Sequence, residues 1–179
     1  TVVQNVNTRQ TNVILGDKER TLFGPGFILD ELCGLSFRIS SKSFYQVNST
    51  QTEVLYRRAI EMAKLEGTEV LMDAYCGTGT IGLVAARGVD GNPGAARVIG
   101  VEERPDAVAD ARNNARHNGI KRAEFVAADA GEYMHRMANE GAPLDVLMMD
   151  PPRAGSTSEF LKAACELAPK RIVYISCNP

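Results

Sequence analysis

No stretch of the sequence approaches the roughly 18 consecutive apolar residues that a membrane-spanning helix needs, and no charged segment followed by an apolar one opens it. A membrane partner and a secretory leader are therefore not expected. The chain begins at Thr1 with no initiator methionine, which reads as a cut or a processed end. Paired cysteines are missing as well. The four cysteines, Cys33, Cys76, Cys165 and Cys177, form no CxxC pair, and the two histidines, His117 and His135, do not stand near them at zinc-ligand spacing. This pattern points to a reduced, cytoplasmic, metal-free protein. Excess charge is also lacking: 20 Lys and Arg against 22 Asp and Glu leave a net −2, so no global field gathers nucleic-acid phosphates. Any such grip is local or outside these residues. Internal repeats and low-complexity tracts are absent too.

What is present is a chain of 179 residues, 44% hydrophobic and 23% charged, as in an ordinary soluble globular protein. That length suits one full domain with a modest appendage, burying about two-thirds of its unfolded surface. Residues 1–48 carry short alternating runs broken by glycine, and 27–32, Cys33-Gly34 and 35–39 read as a β-hairpin. They form a small β-rich lead-in subdomain. After Asn48 the period changes: Ser49 or Thr50 caps a helix with Val54, Leu55, Ala59, Ile60 and Ala63 on one face, ending near Gly67.

From 49 to 179 short apolar strands alternate with helices, the signature of a parallel sheet covered on both faces. Strands are predicted at 69–73, 97–101, 123–127, 145–149 and 171–175, and helices at 80–87, 106–118, 131–140 and 158–167. The expected fold class is α/β, a Rossmann-like doubly wound sheet.

In such sheets ligands sit beyond the carboxyl ends of the strands. The first end, Asp73-Ala-Tyr-Cys-Gly77-Thr-Gly79-Thr-Ile-Gly82, lets the backbone turn tightly and approach a ligand. Gly77-x-Gly79-x-x-Gly82 alone also matches a dinucleotide fingerprint, so a nicotinamide oxidoreductase or a fortuitous loop reads the same there. Glu102, ending the second strand, is placed to accept ribose hydroxyls. Asp129, after the third, either meets an adenine amino group or caps the next helix. Asp150-Pro151-Pro152-Arg153 stiffens the fourth strand end and projects an acid into the crevice, and Cys177 sets a thiol at the fifth. Cys33, Cys76 and Cys165 read as small packed residues. Both histidines read as helix-surface residues without a chemical role.

This combination resembles the RNA uracil-5-methyltransferases, the m5U enzymes of ribosomal and transfer RNA. The likeness covers nearly the whole chain: Phe23-Gly-Pro-Gly26, Phe44-Tyr-Gln-Val-Asn48, Asp73-x-Tyr-Cys-Gly77, Asp150-Pro-Pro-Arg153 and Ser176-Cys-Asn-Pro179. It implies a class I methyltransferase fold truncated at its C-terminal side, with S-adenosylmethionine as cofactor and RNA as partner, ribosomal RNA favoured over transfer RNA. By resemblance, Cys177 is the nucleophile, and Gln46, Tyr75, Gly77, Gly79, Glu102 and Asp150 line the cofactor site, with Asp129 a further candidate. Asp150 holds either the pyrimidine edge or the methionine end of the cofactor. The thiol fits the reaction: C5 of uracil is a weak nucleophile until a thiolate adds at C6 and delocalises charge onto C5. Phe44 is either a stacking platform for an unstacked base or a core aromatic.

Family members usually carry a β-barrel RNA-binding domain ahead of this region, and some hold an iron–sulfur cluster on four cysteines. Neither is visible here. The family continues past the nucleophile with two strands and a glutamate base, so residues 1–179 alone are expected to be inactive and to expose a sheet edge prone to self-association. Three rival readings remain at this point, one being that this piece acts only as a cofactor-binding module. An amino-directed nucleic-acid methyltransferase would have no use for Cys177, and a nicotinamide oxidoreductase would not bind S-adenosylhomocysteine.

Overall fold

The computed structural model describes residues 1–10 and 14–176. The lead-in contains two antiparallel ribbons. One pairs β1 (Val2–Val6) with β2 (Lys18–Phe23); the other pairs β3 (Phe27–Leu32) with β4 (Leu35–Ser40). Cys33 and Gly34 turn the second ribbon with φ of 50° and 71°, the doubly positive turn that matches strand twist. Glu53 holds this turn by accepting the Cys33 N–H at 2.6 Å. The hairpin shares the core of the main sheet, since Leu32, Leu35 and Phe37 are buried in the same cluster as Leu71, Leu83 and Val98.

Helix α1 (Ser49–Ala63) follows, capped by Asn48, whose side chain accepts from the Gln51 N–H, and not by Ser49 or Thr50. Its buried face is also rotated from expectation. Thr52, Tyr56, Ala59, Ile60 and Ala63 pack inward, leaving Val54 58% exposed and Leu55 at the surface. Tyr56 decides this phase because it buries a large ring while Thr80 satisfies its hydroxyl at 2.7 Å.

The remaining elements alternate as predicted: β5 (Val70–Ala74), α2 (Thr80–Arg87), β6 (Arg97–Glu102), α3 (Pro105–His117), β7 (Ala123–Ala127), α4 (Ala130–Asn139), β8 (Val146–Met149), α5 (Ser158–Leu167) and β9 (Arg171–Tyr174). The five strands are parallel in the order β7-β6-β5-β8-β9, so the chain winds one way from β5 and then crosses to wind the other way from β8. The order reverses between β5 and β8, which makes that junction the ligand crevice of the fold.

Side chains alternate across the sheet with the period of two that strands impose. Leu71, Val98, Val146 and Met148 face α1, α2, α3 and the hairpin; Met72, Ile99, Leu147 and Met149 face α4 and α5. Burial on both faces of β5 and β8 explains their nearly unbroken apolar runs, while the outer strands β7 and β9 are partly exposed. Cys33 and Cys76 are buried, but Cys165 lies on the exposed side of α5, where Phe160, Ala163 and Ala164 supply the packed face. Both histidines are on helix surfaces.

Candidate functional site

The junction of β5 and β8 collects side chains from three stretches of chain. Gln46 and Phe44 come from the segment after the hairpin, Tyr75, Cys76, Gly77 and Thr78 from the loop after β5, and Asp150 from the end of β8. Four sequence candidates, Gln46, Tyr75, Gly77 and Asp150, thus line one cavity, with Asp73 and Tyr56 at its inner side. The enclosed space is about 50 Å³, far below the roughly 300 Å³ or more of a drug-sized ligand pocket. Gly77, one of the lining residues, has nothing within 4 Å of where a side chain would stand, so the space is open on that side.

The three glycines of the loop have separate duties. Gly77 has φ of 53°, and a side chain there would meet nothing within 4 Å, so its bare backbone faces open space where a ligand can approach. Gly79, also left-handed at φ 79°, points inward: a Cβ would stand 2.7 Å from the Phe125 ring. Gly82 opens onto Asp73, whose Oδ2 accepts the Gly82 N–H at 2.8 Å in a space where any Cβ would collide. Asp73 therefore ties the end of β5 to the first turn of α2. Complete burial raises its carboxyl to about 7, opposed by the Gly82 hydrogen bond and reinforced by the charges of Asp150 and Glu102.

Glu102 stands beside the loop. Its Oε2 accepts the Gly77 N–H at 3.1 Å and its Oε1 the Arg104 N–H at 3.0 Å, fixing the side chain against the backbone of Gly77 although it does not itself line the cavity. Tyr75 adopts φ 63°, a strained conformation for a residue with a side chain. In that pose its hydroxyl donates to Ser156 Oγ at 3.2 Å and its ring lies 5.3 Å from that of Phe160, bridging the loops after β5 and β8. Asp150 is half-buried, and desolvation raises its carboxyl above the ordinary range. Among the described residues no side chain or backbone N–H donates to it, which leaves its acceptor capacity for a ligand.

Asp129 takes the capping role, accepting the Glu132 N–H at 2.9 Å. It lines a groove between α4 and α5 and not the cavity. Phe44 is 75% exposed at the cavity mouth, so it is not a core aromatic. Cys177 lies outside the described residues. Tyr56 and Thr78 were not singled out in the sequence. Tyr56 was findable from its spacing with Thr52, Ile60 and Ala63, but Thr78 joins the cavity only through the loop's tertiary path.

Another concavity, about 740 Å³ between α1 and the loop near Asp90, lies away from the strand ends. Its charges pair with one another, Arg57 with Glu53 and Asp90 and Arg58 with Glu61, so it presents no convergent group to a ligand.

Comparison with known proteins agrees with this geometry. The chain is 50% identical over 178 residues to an uncharacterized RNA methyltransferase of Lactiplantibacillus plantarum and 46% identical to one of Halalkalibacterium halodurans, each match covering 99% of this chain. It spans 38% of the length of these curated relatives. Among solved structures, the Pyrococcus abyssi tRNA (uracil-54, C5)-methyltransferase in complex with S-adenosyl-L-homocysteine superposes with a TM-score of 0.76 at 32% identity, over 98% of this chain and 40% of that one. A SAM-dependent methyltransferase from Agrobacterium tumefaciens shares the fold, with a TM-score of 0.67 at 20% identity over 89% of this chain and 56% of that one. The fold is thus the class I, Rossmann-like methyltransferase fold. A family model described as a methyltransferase domain matches residues 65–179, and the chain belongs to that family.

Proposed function

We propose that this chain is the cofactor-binding core of an RNA methyltransferase that transfers a methyl group from S-adenosylmethionine to C5 of a uridine. The observation that carries the reading is the convergence of Gln46, Tyr75, Gly77 and Asp150 on one crevice at the switch point of a methyltransferase sheet. The residues suit the cofactor by shape and charge. The open backbone at Gly77 admits a ligand against the loop, the Glu102 carboxylate beside Gly77 matches a ribose diol, and the oxygens of Asp150, which accept from no donor among the described residues, match the ammonium of a methionine moiety or a pyrimidine N3–H. S-adenosylmethionine supplies an electrophilic methyl group. Asp129 is a less direct candidate for the adenine end, since its carboxylate already caps α4.

Uridine specificity rests on the likeness to the C5 methyltransferase of Pyrococcus abyssi and on Cys177, two residues past the described Ile175. The thiolate of Cys177 would add to C6 of the uracil, and the electron pair pushed onto C5 would take the methyl group from the sulfonium, whose S–CH3 bond pair returns to sulfur as S-adenosylhomocysteine leaves. A base then removes the C5 proton, and the ring expels the thiolate as the double bond returns. Phe44, exposed at the cavity mouth, offers its ring for stacking the target base. Ribosomal RNA is proposed as substrate on overall likeness, although the solved relative acts on transfer RNA. Self-association of the isolated chain is proposed through β9, an edge strand among the described residues, whose Ile172 and Tyr174 are 53% and 55% exposed.

The test uses the longer protein that contains this chain, incubated with S-adenosylmethionine and with ribosomal or transfer RNA carrying 5-fluorouridine. Fluorine at C5 cannot be abstracted, so the covalent intermediate accumulates. The expected result is a protein–RNA species by mass spectrometry that disappears in Cys177→Ala, with the productive RNA class giving the higher yield. RNA binding without an adduct would instead favour methylation of an amino group.

A further inference from the structure

Asp110 and Asn114 on one face of α3, and Asn118 at its C-cap, recur every four positions, and all three bind the lead-in. Asn118 accepts the Ser36 N–H at 3.0 Å and donates to the Ser36 carbonyl at 2.8 Å; Asn114 accepts the Arg38 N–H at 2.8 Å and donates to the Arg38 carbonyl at 3.4 Å. Asp110 Oδ2 accepts the hydroxyls of Ser40 and Ser43, each at 2.7 Å. The match is metric. Four helical residues rise about 6 Å, and two strand residues advance about 6.7 Å, so each step along α3 meets every second residue of β4. The helix therefore pairs with the outward edge of β4 as a neighbouring strand would, its carboxamides standing in for peptide groups.

Asn114 does something the other two do not. It is fully buried, and its Nδ2 also donates to the Thr78 carbonyl at 3.2 Å, inside the glycine loop. One carboxamide thus joins the two walls of the crevice: the loop of Tyr75, Gly77 and Thr78 on one side, and on the other β4, which runs through Ser40 and Ser43 into Phe44 and Gln46. We propose that Asn114 is a positioning residue for the cofactor site, setting the glycine loop against the segment that carries Gln46. The inference rests on the cofactor reading above. It adds that the width of the crevice is set from behind, by a residue that touches no ligand.

Affinity for S-adenosylhomocysteine, measured by calorimetry on Asn114→Ala and Asn118→Ala beside the wild type, separates the possibilities. Asn118 supports the same hairpin without reaching the loop, so both variants lose stability. Only Asn114→Ala loses affinity, by about tenfold or more at a temperature where all three are folded, with faster amide exchange over residues 76–80 than in Asn118→Ala. If Asn114→Ala does not fold, Asn114→Leu, which roughly keeps the volume and removes the donor to Thr78, serves in its place. Wild-type affinity in a folded Asn114 variant, or equal losses in both alanine variants, overturns the inference. No binding by the wild type overturns the cofactor reading itself.

Discussion

Two carboxylates flank the glycine loop, and their surroundings give them opposite work. Asp73 is sealed in the core, where burial lifts its carboxyl from 3.8 to about 7. A carboxyl held higher in the folded chain than in the unfolded one stabilises the fold below its unfolded pKa, and that contribution is lost as pH rises through the folded value. Stability from this group therefore declines between about pH 4 and pH 7. Asp73→Asn keeps an acceptor for the Gly82 N–H and removes the titration. Thermal unfolding of both proteins should show wild type losing more stability than Asp73→Asn between pH 5 and pH 8; equal losses would mean that Asp73 does not titrate in that window. Glu102 instead lies against the loop, accepting the Gly77 N–H. Glu102→Ala should lower affinity for S-adenosylhomocysteine roughly tenfold to hundredfold, since a hydrogen bond to a charged group contributes about 1.5–3 kcal/mol. Unchanged affinity by calorimetry would remove Glu102 from the site. Position at the end of a strand marked both acids in the sequence. The partner of Asp73 was not legible, because its contact with Gly82 exists only once α2 has folded back over β5.

At the scale of elements, helices α2 and α5 begin and end where the residue pattern placed them, because glycine before Thr80 and Thr157 before Ser158 mark their starts locally. Helix α1 illustrates what pattern misses. Counting aliphatics put Val54 and Leu55 inside, while Tyr56, amphipathic and so ambiguous by type, took the buried position by finding Thr80. The polar ladder of α3 was similarly silent, since Asp and Asn at helical spacing read as a solvated face until β4 is placed against them. Within the glycine loop the structure separates fold from function. Gly79→Ala brings a methyl against Phe125 in a left-handed conformation, and should cost about 2–4 kcal/mol by urea unfolding. Gly77→Ala meets no neighbour and should cost about 1–2 kcal/mol for the same left-handed conformation, while weakening cofactor binding more than its stability loss explains. Equal stability losses in the two variants would contradict this division of duties.

For the whole molecule, alternation of apolar strands with helices specified the parallel sheet, and the rule that ligands lie beyond strand ends located the crevice before its walls were known. The lead-in was harder to read. Its short runs indicated β structure and the hairpin over 27–39 but not the ribbon of β1 and β2, and the union of the hairpin with the sheet depends on Phe37 entering the common core and on the polar ladder gripping β4. That union brings Gln46 to the cofactor loop and makes one crevice from segments about thirty residues apart. The central claim is that this crevice takes S-adenosylmethionine. Titration calorimetry of the chain with S-adenosylhomocysteine, with NAD as comparison, and of Gly77→Val with the same ligands tests it most directly. The account predicts one-to-one binding of S-adenosylhomocysteine, no binding of NAD, and loss of affinity when valine fills the open space over the loop. Binding of NAD alone, or full affinity in Gly77→Val, would contradict it.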